Sequence, residues 1–464
     1  MSQALFTLAQ AAGWISGAQC VGDGLYGIER VHTDSRTVRP GDLFVALRGE
    51  RFDGHDFLGQ LAALGVRAAV AEHGLSESGL SGLTVPDTRL ALGELARAWR
   101  RAHPIGLIAV AGSNGKTTVT QMLAAILQAQ HGEAALATQG NFNNEIGVPL
   151  TLLRLRPAHR LAVLELGMNH PGEIATLAAW AQPTVALVNN AQREHQEFMH
   201  SVRAVAEENG AVLQALPAKG VAVFPADDAH TDLWRHMAGA RAVLTFGAQG
   251  DVQATALQRS ELGWQGQMSC PSRQVAFDFV LQMPGEHNLR NAMAATACAL
   301  AAGVPAHAIA QGLAGFQPVS GRSQVQTLHM GRHRLTLIDD TYNANPDSVR
   351  AAIDVLAQLP GPHLLVLGDM GEVGTQGPEF HAEVGRYARE RGIEHVLTTG
   401  QWAEISAQAH GQAQHHPQMD SLCKAVAQRC PQVSSILVKG SRFMRMERVV
   451  QHLMSGLTQE QALC

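Results

Sequence analysis

The stretch Ile105-Gly106-Leu107-Ile108-Ala109-Val110-Ala111-Gly112-Ser113-Asn114-Gly115-Lys116-Thr117-Thr118 decides the fold. It opens with an apolar run bounded by Pro104 and Gly112, short enough for a buried parallel strand. After the glycines, Val119, Met122, Leu123, Ile126 and Leu127 recur at the spacing of one helix face, and Gly132 supplies a stop. The order is strand, glycine turn, helix. Gly112 and Gly115 let backbone N–H groups turn onto an anion, and the helix start offers its positive end to the same point. Lys116 is placed for the β and γ phosphates of a nucleotide such as ATP, and the Thr117 hydroxyl for Mg²⁺. Ser113, Asn114 and Thr118 complete the cradle. Val110 stands where the full phosphate-loop pattern has its first glycine. The short motif alone also fits a glycine-rich turn with a surface lysine, so the flanking strand and helix carry the reading.

Outward from this loop the chain divides into three regions. Residues 1–84 hold short strand-like pieces such as Asp42–Leu47, with a helical segment near Leu58–Leu64. Residues 85–316 contain an amphipathic segment at Leu90–Arg101, apolar runs at Leu161–Leu166 and Thr184–Val188, antiparallel-looking strands over 252–283 and an Ala-rich helix at 288–302. Residues 317–464 alternate helical patterns with strand runs at 335–338, 364–367, 395–398 and 436–438. Such alternation predicts parallel sheets covered by helices on both faces. The expected class is α/β in three domains: a small N-terminal one, a central phosphate-loop sheet and a C-terminal Rossmann-like one. His415-His416 reads as a solvated polar loop.

In open parallel sheets ligands sit beyond the carboxyl ends of the strands, which singles out the residues that leave them. Glu165 closes an apolar strand, where a carboxylate is costly without a partner, and Mg²⁺ is the natural one. His195 follows Asn189-Asn190 at the end of the next strand. Thr117, Glu165 and His195 could together hold one or two Mg²⁺ ions. In the third region Asn345-Pro346-Asp347-Ser348 reads as a helix start, just after Asp339-Asp340-Thr341-Tyr342-Asn343 leaves its strand. Lys439-Gly440-Ser441-Arg442 adds cations at another strand end, with a solvated loop as the plain alternative.

Bulk properties narrow the class. A chain of 464 residues, 46% hydrophobic and 16% charged, supports several packed cores. A net charge of -5 gives no pull toward nucleic acid or anionic membranes. Cys20, Cys270, Cys298, Cys423, Cys430 and Cys464 show no CxxC spacing and read as buried reduced thiols. The N-terminal residues lack a basic, long apolar leader, and no apolar run reaches the ~20 residues of a membrane span, so a cytoplasmic protein is expected.

The chain resembles the Mur ligases along essentially its whole length. The resemblance rests on an ordered set: Thr33-Asp34-Ser35-Arg36, Pro40–Leu47, Asp53-Gly54-His55, the glycine loop, Asn141–Pro149 with Asn143 and Asn144, and Glu165–Glu173. It continues through Gly285-Glu286-His287-Asn288 with Asn291, Gly321-Arg322, Asp339–Pro346, Leu367–Glu372 and Lys439–Arg442. It implies an ATP-dependent ligase acting through an acyl phosphate in peptidoglycan precursor synthesis. The Tyr-Asn-Ala-Asn-Pro corner implies UDP-N-acetylmuramoyl-tripeptide as acceptor and D-alanyl-D-alanine as incoming amine. By the same resemblance Asp34, Ser35 and Arg36 lie near the uridine nucleotide, Lys116 on the ATP phosphates, Thr117 and Glu165 on Mg²⁺, His195 on a second Mg²⁺, and Asn291 near adenine. Arg322 and Asp340 come to the nucleotide, while Asn143, Asn144, Asn345 and Lys439 face the substrates. A monomer is expected.

One position departs. Members commonly carry a lysine, carbamylated to bridge Mg²⁺, where this chain has Asn209, so either Glu207 or Glu208 supplies the missing charge or the second metal is bound more weakly. The residues alone also leave open a sister ligase that adds another amino acid, and a phosphate-loop switch that hydrolyses ATP without an amine.

Overall fold

Alternation along the strand Gly106–Ala111 organises the central layer. Successive side chains of a strand point to opposite faces. Leu107, Ala109 and Ala111 therefore enter one buried cluster, Ile108 and Val110 the other. The computed structural model describes residues 4–260, 262–330 and 333–461.

Three main sheets carry the fold. The first runs, edge to edge, Gln19–Val21, Ser81–Thr84, Ala68–Ala71, Asp42–Val45 and Arg30–His32, parallel except for its first pair. The central sheet is wholly parallel: Ala242–Phe246, Val221–Pro225, Val185–Val188, Gly106–Ala111, Leu161–Glu165, Ala135–Ala137. The chain adds strands first on one side of Gly106–Ala111 and then on the other. That makes the carboxyl end of this strand a switch point, where a crevice opens. Register places Glu165 opposite Val110, and Val188 opposite Ala111. The third sheet runs Gln324–Met330, His333–Asp340, Ser435–Lys439, His363–Leu367, His395–Thr398 and Gln414–His415, with only the first pair antiparallel. An antiparallel three-stranded sheet at 253–281 packs beside the central layer.

Helices supply the outer layers. Asp87 caps Thr88–Ala102 by accepting from the N–H groups of Arg89 and Leu90, and this helix buries Ala91, Leu92, Leu95, Ala96 and Trp99. The helix Lys116–His131 buries Val119, Met122, Leu123, Ile126 and Leu127, as its periodicity requires. One apolar cluster joins the first sheet to one face of the central sheet, and a second fills the other face. The two clusters of the third sheet contain only residues of the C-terminal region.

Two sequence expectations are corrected. Gln414–His415 is a short edge strand, not a loop: it pairs with Leu397 and Thr398, and His415 Nδ1 lies 2.9 Å from Thr398 Oγ1. A two-residue strand is too short to show a period. Cys20 is exposed on an edge strand, whereas Cys270, Cys298, Cys423 and Cys430 are buried. Burial pushes the Cys430 thiol up to about 12. Cys464 lies outside the described residues. No helix among them is long and apolar enough to cross a membrane.

The helix Ala306–Gly315 approaches Lys116–His131 so closely that a Cβ on Gly312 would lie 2.4 Å from Ile126 Cα. Gly312→Ala must separate the two helices and is expected to cost about 2 kcal/mol of stability. Urea unfolding measures it; an unchanged midpoint would mean that the helices have room to part.

Candidate active site

The glycine loop is clasped by the segment that leaves Val185–Val188. The N–H of Ser113 donates to Asn190 O (3.1 Å) and that of Asn114 to Asn190 Oδ1 (2.9 Å), while Gln192 N donates to Ser113 Oγ (2.9 Å). Gly112 and Gly115 have φ of 128° and 80°. A Cβ at Gly112 would meet Asn189 N at 2.9 Å, and one at Gly115 would meet Asn291 Oδ1 at 2.4 Å. Both positions therefore require glycine on conformation and on space. Gly115 begins the helix Lys116–His131, so the helix's free N–H groups face the loop. Lys116 Nζ donates to Gly112 O (2.5 Å) and Ser113 O (2.9 Å) and lies 3.3 Å from Glu194 Oε2. Thr117 is nearly buried, and Ser113, Asn114 and Thr118 line the same space.

This space is a cleft of about 1040 Å³ walled by all three regions of the chain. Glu165 is 2% exposed. Asn143 Nδ2 donates to its Oε1 (2.7 Å), while its Oε2 is buried with no partner. Asn144 lines the wall, with Oδ1 accepting from the N–H groups of Ile146 and Gly147 at the start of a helix. His195, at φ 48°, puts Nδ1 2.6 Å from Glu372 Oε2, and the imidazole holds the Glu372 carboxyl below its ordinary range. Asn291 accepts from Asn189 Nδ2 (2.9 Å) and sits directly against Gly115. Burial pushes the His287 imidazole below its ordinary value.

The C-terminal sheet delivers the facing wall. Register sets Asp340 opposite Lys439, whose Nζ donates to Asp340 Oδ2 (2.5 Å) and Asn343 O (2.9 Å). Lys439 is only 3% exposed, which excludes the solvated-loop alternative for it, while Arg442 at the end of the same stretch is exposed. Arg322 stacks its guanidinium 4.0 Å above the Tyr342 ring. Asn345 caps Pro346–Leu356 in a reciprocal box with Ser348, and its Nδ2 donates to Asn114 Oδ1 (2.9 Å). That bond links the two walls at the glycine loop.

The sequence reading placed the cleft but missed its clamp. Arg193 donates to Asp347 (Nη2–Oδ1 2.6 Å) and Glu383 (Nη1–Oε2 2.7 Å) across the two walls, and its guanidinium lies over Phe380. Arg193 and Glu194 are neighbours of His195 on a strand-leaving segment, and Glu372 ends a quoted string; that position was the available signal. Asp34, Ser35 and Arg36 are not brought to this cleft. Arg36 donates to Asp34 and holds that carboxyl down at about 2.

The expectation for Glu207 or Glu208 is corrected. Glu208 accepts from Gly172 N and Ile174 N (2.8 Å each) at the start of the helix Glu173–Ala181, and Glu207 pairs with Arg203 on the surface. Both carboxylates point at other tasks, and neither lines the cleft. Asn209 accepts from Gly112 N through Oδ1 (2.9 Å), so it braces the glycine loop.

These features define a phosphate-loop α/β protein with a multidomain cleft. Residues 27–100, 110–299 and 321–442 match the Mur ligase family catalytic domain, the Mur ligase middle domain and the Mur ligase glutamate ligase domain. The chain belongs to the Mur ligase family. It is 41% identical over 438 residues to UDP-N-acetylmuramoyl-tripeptide–D-alanyl-D-alanine ligase of Escherichia coli, covering 93% of this chain and 95% of that protein. A crystal structure of MurF from Acinetobacter baumannii superposes with a TM-score of 0.89 at 36% identity, covering 97% and 98% of the two chains. MurF ligase from Thermotoga maritima in complex with ADP gives a TM-score of 0.81 at 28% identity, covering 93% and 98%.

Arg193, and after it Arg350, holds Glu383 below the ordinary carboxylate value of 4.5. A depressed carboxyl favours the docked state fully above its ordinary value and loses that contribution as pH falls through the lowered one. Small-angle scattering is expected to show the closed dimensions down to about pH 5 and expansion below it. Arg193→Ala should show the expanded form at neutral pH; an unchanged profile would remove Arg193 from closure.

Proposed function

We propose that this protein is an ATP-dependent ligase that joins D-alanyl-D-alanine to UDP-N-acetylmuramoyl-tripeptide and releases ADP and phosphate, a step of peptidoglycan precursor synthesis. The observation that carries the reading is one cleft in which Lys116 and Glu165 face Arg322, Asp340 and Asn345 from another sheet. It lies in a chain 41% identical to a ligase of that name. Residues 1–84 take the uridine end of the acceptor through Asp34, Ser35 and Arg36. Residues 85–316 take ATP, and residues 317–464 close over it. The protein acts as a monomer, and nucleotide-linked small substrates suit the cytoplasm.

A carboxylate resists attack by an amine because of its charge and resonance. Its oxygen attacks the γ-phosphorus of ATP and ADP leaves, giving an acyl phosphate; the dipeptide nitrogen then attacks the acyl carbon and phosphate leaves. Lys116, released from Gly112 O and Ser113 O, neutralises the phosphoryl oxygens, and the loop and helix N–H groups orient them. Arg322 and Asp340 position the nucleotide, with Asn291 beneath the loop. Asn143 and Asn144 flank the acceptor, and Asn345 the incoming dipeptide. Lys439 acts from behind by fixing Asp340 and the Asn343 carbonyl. Closure through Arg193 keeps water from the acyl phosphate.

The residues fit Mg²⁺. Glu165 keeps a buried carboxylate oxygen without a partner, which is costly unless a cation takes it. Among the described residues no three His, Cys, Asp or Glu side chains form a cage on their own, so phosphate and water would complete the ion's shell. Thr117, Glu165 and His195 would hold it. When bound, the ion offsets charge on the phosphates during transfer.

Lys116→Ala is expected to lower ADP release at least about a hundredfold with an unchanged circular dichroism spectrum. Near-normal turnover would sink the scheme. ADP release from the native protein should require both the UDP-linked tripeptide and D-alanyl-D-alanine. Stimulation by a single amino acid instead would point to a sister ligase, and release without any amine to a switch.

A further inference from the structure

We infer that Glu194 is a further ligand for the divalent cation that accompanies the nucleotide, supplying the negative charge that Asn209 does not. The inference rests on the ligase reading above, because it needs nucleotide and cation in this cleft.

Glu194 sits on the segment that clasps the glycine loop, so its place is fixed by the bonds of Ser113 and Asn114 to Asn190. It is 7% exposed and lines the cleft with Thr117, Glu165 and His195. A carboxylate offers about four lone-pair sites. Here Oε1 is buried with no hydrogen-bond partner, and Oε2 accepts one long bond from Lys116 Nζ (3.3 Å), with His195 Nε2 at 3.8 Å. Charge-assisted bonds normally lie nearer 2.7–2.9 Å. The carboxylate is thus buried, charged and poorly served, a condition that a cation relieves.

The neighbouring side chains leave that role to a bound ion. Arg193, next in sequence, spends its guanidinium on Asp347 and Glu383. His195 Nδ1 lies 2.6 Å from Glu372 Oε2 but not in line for a hydrogen bond. Lys116 has two carbonyl acceptors already, and the ligase reading sends it to the phosphates. Two carboxylates on one wall, Glu165 and Glu194, each keep a buried oxygen without a partner. Hard oxygen donors of this kind select Mg²⁺ or Mn²⁺.

Position 209 brings no charge to this wall. Asn209 Oδ1 is used on Gly112 N, its Nδ2 is buried without a partner, and the side chain carries no charge. Glu207 and Glu208 are engaged elsewhere. Glu194 reaches the cleft from the strand-leaving segment rather than from the helix Val202–Gln214, and among the described residues only it and Glu165, of the cleft's carboxylates, keep a buried oxygen without a partner.

Mn²⁺ titration followed by electron paramagnetic resonance, on the full chain with saturating ADP, tests this. The native protein should bind Mn²⁺, and Glu194→Gln, which keeps shape and removes charge, should weaken binding about tenfold or more or lose one ion per chain. Glu194→Asp should fall between the two. Circular dichroism and metal-free ADP affinity serve as controls. If Glu194 merely pairs with Lys116, Glu194→Gln will change metal-free ADP affinity and leave Mn²⁺ affinity as in the native protein; that outcome overturns the inference and leaves the ligase reading standing. If the native protein takes up neither ADP nor Mn²⁺, the ligase reading falls, and the inference with it.

Discussion

The whole arrangement depends on how tightly the glycine loop is pressed against the segment from Asn189 to Gln192. The backbone of Gly112 approaches Asn189 with no space for a side chain, and Gly115 lies on Asn291. That proximity turns the loop's N–H groups inward and points the start of the helix Lys116–His131 at one spot. It also fixes Arg193, Glu194 and His195, which are carried on the same clasping segment. A change that loosened the clasp would displace the phosphate cradle, the candidate cation ligands and the interdomain clamp together.

Much of this was legible in the sequence because period and position have direct physical meaning. The apolar run 105–111 and the spacing of Val119 to Leu127 dictated a strand and a helix, and the glycines between them dictated a turn. Glu165 stood out as a carboxylate in an apolar strand, and Asn345-Pro346 as a capped helix start. What stayed hidden depends on partners remote in the chain. Arg193 gains its meaning only when Asp347 and Glu383, more than a hundred residues away, fold against it. Glu208 read as a spare charge until the N–H groups of Gly172 and Ile174 claimed it. Lys439 read as a loop cation, yet strand register buries it beside Asp340.

Asn209 shows what a neutral side chain does beside the glycine loop. An amide there braces Gly112 but carries no charge, and the anionic group inferred for the cation, Glu194, comes from the clasping segment instead. Similarity along the whole chain to the Escherichia coli ligase does not reveal this arrangement. It becomes visible when each donor and acceptor around the loop is followed to its partner.

The separation of the apolar clusters has a further consequence. The buried side chains of the C-terminal region form clusters of their own, while those of the first two regions run together. The contacts that draw the halves shut, at Arg193, Asn345 and Glu372, are polar. A seam held mostly by ion pairs and amide bonds, with little apolar packing across it beyond Val355 against Gly285, can part and reclose with little greasy surface to draw two molecules together.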